Sequence, residues 1–314
     1  MKEPKAKEKK LIYKAIDYSF IKDNYIKNTY NSRWKKDSDN SFLFSIKKEK
    51  NKPEGEEDKL KIIEDIFEIQ DSSNIRDKYE QATKVTGMEK QRINVLHSSS
   101  LCAFLHFYKV DEKPIKINDI VYDEVYFEIQ NKVFDNHNPS NMDITLISNQ
   151  NKEILFLEAK FSEYLSIVDS YAISKEYKKI YEELHITDEY DMIEKSDKII
   201  LISNNHKKHY IGGIKQMISH YIGIKNFIKN KKSYDERIML KADFNVKLGT
   251  ILFNGWKDKE YLNDYAKEYK KLIYHFNNDE NKPNNLKILD SILTYQEVFK
   301  NYNLDEKVKK YYRY

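Results

Sequence analysis

Cysteine is almost absent from this chain of 314 residues: Cys102 stands alone. That excludes an internal disulfide framework, and any zinc or iron–sulfur site drawing several thiolates from this chain. Arginine is nearly as scarce, occurring only at Arg33, Arg76, Arg92, Arg237 and Arg313. No apolar run approaches the ~20 residues that span a bilayer. The opening MKEPKAKEKK lacks the apolar region of a secretory signal. A bacterial-type cytoplasm is the expected compartment, with no membrane partner. A dominant charge sign is missing as well, since 34% of residues are charged yet the net charge is only +4. This is therefore no polybasic tail protein. Lysine abounds together with Asn, Ile and Tyr, which fits an AT-rich genome as well as it fits a nucleic-acid surface. There is no internal repeat.

What is present is length enough for one large domain, or one domain with appendages. Residues 1–85 read as an N-terminal extension. Within it LIYKAIDYSFI suits a short helix, SFLFSI a strand, and KKEKNKPEGEEDKLK (47–61) a charged linker around Pro53 and Gly55. A helix over 60–70 places Ile62, Ile63, Ile66 and Phe67 on one face.

Residues 86–256 carry the patterns of an α/β core. Ile93, Leu96, Leu101, Phe104, Leu105 and Tyr108 predict a helix over 88–108, with Cys102 on its apolar side and the serine run 98–100 packed against a neighbour. Three strands follow: EVYFEIQNKVF (124–134), MDITLIS (142–148) and EILFLEAKF (153–161). The short NQNK link makes the last two an antiparallel hairpin. A polar helix is expected over 164–184, and DKIILIS (197–203) suits either a strand or a buried helix. After a turn at Gly212-Gly213, Ile214, Met217, Ile218, Tyr221, Ile224 and Ile228 mark an amphipathic helix, and DFNVKLGTILFNGW (243–256) another strand. Residues 257–314 read as C-terminal helices packed on the core.

The strand 153–161 poses the chemical question. Ile154, Leu155, Phe156 and Leu157 belong inside a sheet, yet Glu158 and Lys160 follow at once on a single strand face. In the hairpin, Asp143 can come beside Glu158. Adjacent carboxylates repel unless a cation lies between them. Oxygen-rich sites of this kind suit Mg²⁺, with Mn²⁺ as the alternative ion. A lysine two residues on can orient the water that such an ion activates, or pair with a developing anion. Phosphodiester hydrolysis gives each odd residue a task. The bland alternative is a salt bridge at a strand end.

With NMD at 141–143 and EAK at 158–160, the sequence resembles the PD-(D/E)XK, or restriction-endonuclease-like, nuclease superfamily. The order helix, three strands, helix, strand is similar to that family's αβββαβ core with a mixed central sheet, here with helical additions at both ends. The resemblance implies that Asp143 and Glu158, with the backbone carbonyl of Ala159, hold Mg²⁺, that Lys160 assists the water, and that the substrate is DNA, with RNA as the alternative. Two looser matches are Glu128, where some members place an extra metal-binding glutamate, and Gln216, similar to the glutamine of the RecB-like branch. Tyr221 falls one place late for that branch's QxxxY pattern, with His220 at the expected position, and Met142 replaces the proline of the name. Double-strand cutters of this family often pair two subunits, so a homodimer is compatible with the reading. The rival class is a non-catalytic nucleic-acid-binding or interaction protein on the same fold.

Plainer alternatives attach to several residues. Glu128 can simply face solvent beside Gln130, and His220 can be an ordinary partly buried histidine. His206 and His209 suit a solvated loop. The tyrosines and lysines of KVKKYYRY suit either nucleic-acid contact or an exposed helix end.

Overall fold

The structure, a computed structural model, describes residues 15–17, 25–29, 42–46, 59–69, 74–83, 93, 98–134, 139–165, 170–203, 211–230, 235–255 and 259–314. The linker 47–58 and the histidines of NNHKKHY lie outside the described residues. Strands β1 (Tyr25–Thr29) and β2 (Phe42–Ile46) pair antiparallel, the second being the expected SFLFSI strand. Helices α1 (Lys59–Phe67) and α2 (Ile75–Thr83) follow. Helix α1 buries Leu60, Ile62, Ile63, Ile66 and Phe67, the face legible in the sequence, and ends where Glu68 turns to φ 50°.

Helix α3 (Ser99–Phe107) is shorter than the predicted 88–108. Ser98 lies before it in extended conformation, and its Oγ accepts from Leu101 N at 3.1 Å. The competition for backbone hydrogen bonds that makes serine awkward inside a helix makes it a good cap. A small hairpin of β3 (Ile115–Ile117) and β4 (Ile120–Tyr122) leads to β5 (Glu124–Asn131), β6 (Ser140–Ser148) and β7 (Glu153–Lys160). These last three are antiparallel neighbours, and β6–β7 is the expected hairpin. Burial alternates along β5 and is continuous along β7, as befits an outer strand and one covered on both faces.

The polar helix expected over 164–184 is replaced by a 3-10 turn at Glu163–Leu165, strand β8 (Ser170–Ser174) and the short α4 (Tyr177–Glu183). Strands β9 (Tyr190–Glu194) and β10 (Lys198–Ser203) complete a separate antiparallel sheet of order β8-β10-β9. DKIILIS is thus a strand, but outside the central sheet. Long-range pairing decides both segments, and local composition carries no signal for it.

Helix α5 (Ile211–Asn230) takes Gly212 and Gly213 into its first turn rather than leaving them before it. Short α6 (Glu236–Met239) precedes β11 (Asn245–Leu252), which runs parallel to β7 from Asn245 opposite Glu153 to Leu252 opposite Lys160. Helix α7 (Lys259–Asn277), β12 (Leu286–Ile288), β13 (Leu293–Thr294), α8 (Tyr295–Val298) and α9 (Glu306–Tyr312) end the chain. The last segment is therefore not helical throughout, because β12 and β13 both extend the sheet beside β11.

The result is an α/β protein with a mixed central sheet, ordered β12-β11-β7-β6-β5, between helices. Helix α3 covers one face, where Phe104 meets Phe127 with ring centroids 6.2 Å apart. Helix α5 covers the other, where Phe227 meets Phe156 at 6.4 Å. On the α3 side Cys102 is core, as expected, and burial pushes the His106 imidazole down to about 3, so it stays neutral among aromatic rings. Tyr311 and Tyr312 are buried there too, which removes them as an exposed stacking platform. Among the described residues no helix is long and apolar enough to cross a membrane.

At Gly223 helix α5 passes close to the sheet. A Cβ there would lie 2.9 Å from Asn131 Cβ and 3.3 Å from its carbonyl oxygen. Alanine normally gains about 1 kcal/mol over glycine inside a helix, but overpacking against backbone costs about 1–3 kcal/mol. Gly223→Ala is expected to destabilise the protein by up to about 2 kcal/mol in urea unfolding; a stabilised variant would contradict this close approach.

Candidate functional site

Strand β7 is apolar from Ile154 to Leu157, each side chain contributing about 1.5–3 kcal/mol on burial. It then carries Glu158, which is 0% exposed, and Lys160, 6% exposed. A carboxylate taken out of water without partners costs several kcal/mol, so its contacts decide whether this strand can exist. Both oxygens are engaged. Lys160 Nζ donates to Oε1, and His220 Nε2 donates to Oε2 at 2.6 Å. Lys160 also donates to Gln216 Oε1 at 2.6 Å. Gln216 and His220 stand one turn apart on α5 and so share a face. Gln216 is exposed, so it marks the solvent side of the buried pair. Behind His220, its Nδ1 meets Ser140 Oγ at the start of β6.

The sheet loses its regularity at the level of Glu158. The β6–β7 ladder ends with Ile144 opposite Leu157, one step before Asp143 would face Glu158. There Asp143 Oδ2 accepts from Ala159 N at 2.7 Å, so a side chain stands in for the missing ladder bond. Lys160 O accepts from Phe253 N at 2.9 Å, on the β11 side. Strand alternation then aims the N–H and carbonyl of Ala159 toward β6, into the level where the ladder has ended. Across β6, Phe127 faces Ile144 and Ile129 faces Met142, which sets Glu128 level with Asp143. Glu128 is half-buried and has φ 52°, a left-handed conformation that costs roughly 1–2 kcal/mol outside glycine. Glu128, Asp143 and Glu158 therefore fall in one row over three adjacent strands, where the sheet is distorted.

The electrostatics follow from this crowding. Burial by itself would raise the Glu158 carboxyl, but the Lys160 and His220 partners overcome it and hold it at about 2. Asp143 goes the other way: burial and the Glu158 charge push it well above the usual carboxylate range, against Lys160 and the Ala159 N–H. Burial opposes the charge on Lys160, yet Glu158, Glu163 and Asp143 together hold it above the ordinary lysine range. One acid is ionised, its neighbour tends to keep a proton, and the lysine is an ammonium.

Asp143, Glu158, Lys160 and Gln216 are thus gathered at one point, with the backbone of Ala159 beside them and Glu128 level with Asp143. Tyr221 is not at this point. It stacks on Phe276 with centroids 4.1 Å apart and donates to Asp279 at 2.6 Å, on the α7 side. His220 takes the inward position, and the sequence reading that treated it as ordinary missed it. The available signal was its spacing: Gln216, His220, Gly223 and Phe227 form one helical stripe toward the sheet. Glu163 was missed too. It sits on the 3-10 turn, accepts from Phe161 N at 2.7 Å, and its charge acts on both Asp143 and Lys160.

Among the described residues no group of three or more His, Cys, Asp and Glu side chains forms a ready-made metal cage. The donors present fit a hard cation that keeps most of its waters, since Mg²⁺ is usually held by only one or two carboxylates. Comparison of the chain with family models, curated proteins and solved structures returns no match.

A raised carboxyl is a stability statement. Because the folded Asp143 pKa lies above its unfolded value, it favours folding most at low pH, and that contribution is lost as pH rises through the folded value. Glu158 behaves oppositely: its contribution is full above the ordinary carboxylate range and is lost as pH falls toward about 2. Asp143→Asn, which keeps an acceptor for Ala159 N, is expected to raise the melting temperature of metal-free protein at pH 8. The gain is about 1.5 °C for each kcal/mol of repulsion removed, and it shrinks toward pH 5. A lower melting temperature at pH 8 would contradict the like-charge pairing.

Proposed function

We propose that this chain is a Mg²⁺-dependent nuclease of the restriction-endonuclease-like type, hydrolysing phosphodiester bonds in DNA. The observation that carries the proposal is the meeting of Asp143 and Glu158 at the break in the β6–β7 ladder, with Lys160 on the same strand face as Glu158. The order α3, β5, β6, β7, α5, β11 supports it as the helix–three strands–helix–strand core, within residues 86–256. On this reading the chain 1–85 and 257–314 flanks that core.

In the proposed site Asp143, Glu158 and the Ala159 carbonyl would hold the cation, with Glu128 at the outer end of the row. When bound, Mg²⁺ supplies acidification of the attacking water and charge neutralisation at the phosphate. The chain's own residues do the positioning. Lys160, held as an ammonium by the surrounding carboxylates in the metal-free protein, is a hydrogen-bond donor that would orient the water and stabilise negative charge on the phosphate oxygens. Gln216 fixes Nζ from the solvent side. Water adds to phosphorus, one P–O ester bond breaks, and the proton lost by water ends on the departing alcohol.

The rival reading, a non-catalytic nucleic-acid-binding protein on the same fold, is favoured by one observation. Both Glu158 oxygens are already engaged by Lys160 and His220, as a purely structural ion pair would be. Supercoiled plasmid and linear DNA, incubated with Mg²⁺, Mn²⁺ or EDTA, separate the two. Wild type is expected to cut in either metal and not in EDTA. Glu158→Ala should lose cutting and the metal-induced thermal shift together. Lys160→Ala should lose at least ~100-fold in cutting rate while keeping the metal shift. Normal cutting by Lys160→Ala would sink the mechanism, and wild type that binds DNA without cutting would favour the rival.

A further inference from the structure

His220 holds one of the two Glu158 oxygens, which fixes how that carboxylate can turn toward a cation. Ser140, His220 and Glu158 form a chain in which Ser140 Oγ meets Nδ1 and Nε2 donates to Oε2 at 2.6 Å. The residue types are those of a hydrolytic triad, but exposures of 6%, 3% and 0% leave the serine no access to a substrate. Their chemistry must therefore act through Glu158. Since an ionised carboxylate only accepts, Nε2 carries the hydrogen in this contact. Ser140 fixes the ring from the other side, and Gly223, one turn further along α5, lets the helix approach closely enough for His220 to reach.

Resting on the nuclease reading, we infer that His220, anchored by Ser140, is a positioning residue for the metal centre. It holds Glu158 Oε2 and leaves Oε1, on the Lys160 side, as the oxygen that would face a cation. That oxygen is the one Lys160 occupies in the metal-free protein. A cation at Oε1 would compete with Lys160 for that oxygen, while His220 would keep its hold on Oε2.

The test is a titration of the full chain with MgCl₂ and with MnCl₂, read both as thermal shift and as plasmid nicking. The variants are His220→Leu, His220→Gln and Ser140→Ala, with the melting temperature in EDTA as the check on folding. His220→Leu is expected to raise the half-saturating metal concentration about 10–100-fold, the usual loss when a group orienting a metal ligand is removed. The KM for DNA should stay unchanged. His220→Gln, which restores an N–H donor, should recover part of the loss, and Ser140→Ala should weaken metal in the same direction by less. A folded His220→Leu with wild-type half-saturation overturns the inference while leaving the nuclease reading intact. If His220→Leu does not fold, unchanged half-saturation in Ser140→Ala overturns it instead. Wild type with neither a metal shift nor nicking overturns the nuclease reading itself, and this inference with it.

Discussion

The buried carboxylate of Glu158, shared between Lys160 and His220, is the interaction on which the rest of the structure depends. It sits in the middle of the central sheet, where an unpaired charge would cost several kcal/mol. Keeping it requires β7 to deliver Lys160 to the same face and α5 to deliver His220 from above. That in turn sets the position of α5 along the sheet, with Gly223 close against Asn131 and Phe227 over Phe156. Replacing such a pair by apolar side chains is often neutral or stabilising, so an ionic centre here is better explained by what it does than by stability alone.

The break between β6 and β7 is the second half of the design. A regular ladder would bury the Ala159 amide in a backbone bond; here Asp143 satisfies it with a side-chain oxygen. The exchange brings a second acid to the Glu158 level and aims a backbone carbonyl at the same place. Burial, and the Glu158 charge beside it, push Asp143 toward its protonated form. A proton and a divalent cation are alternative solutions to the same repulsion, and the proposed metal site rests on the second.

The parts of the fold legible in the sequence were those decided locally. The apolar run ending in Glu158 and Lys160, and the NQNK turn, were enough to place the β6–β7 hairpin and the acids upon it. The stripe of α5 was legible as a helix, although its inward polar residues were not recognised as a set. What escaped was decided at long range. Residues 170–174 and 198–203 become strands only by finding each other, and β12 and β13 only by docking on β11. His220 escaped because the meaning of a histidine on an apolar helix lies in its partners, here Ser140 and Glu158, 80 and 62 residues away along the chain. The serine run misleads for the opposite reason: a strong local signal for a helix start, with Ser98 as its cap, lies within a longer apolar periodicity.

The most direct measurement is anomalous diffraction from a crystal of the full chain soaked in Mn²⁺, recorded near the manganese edge. The account predicts a peak in the break between β6 and β7, about 2.1 Å from oxygens of Asp143, Glu158 and the Ala159 carbonyl, with Lys160 displaced from Glu158 Oε1. Saturating Mn²⁺ with no peak there, and Lys160 still paired with Glu158, would contradict it and leave the buried trio as a structural ion pair.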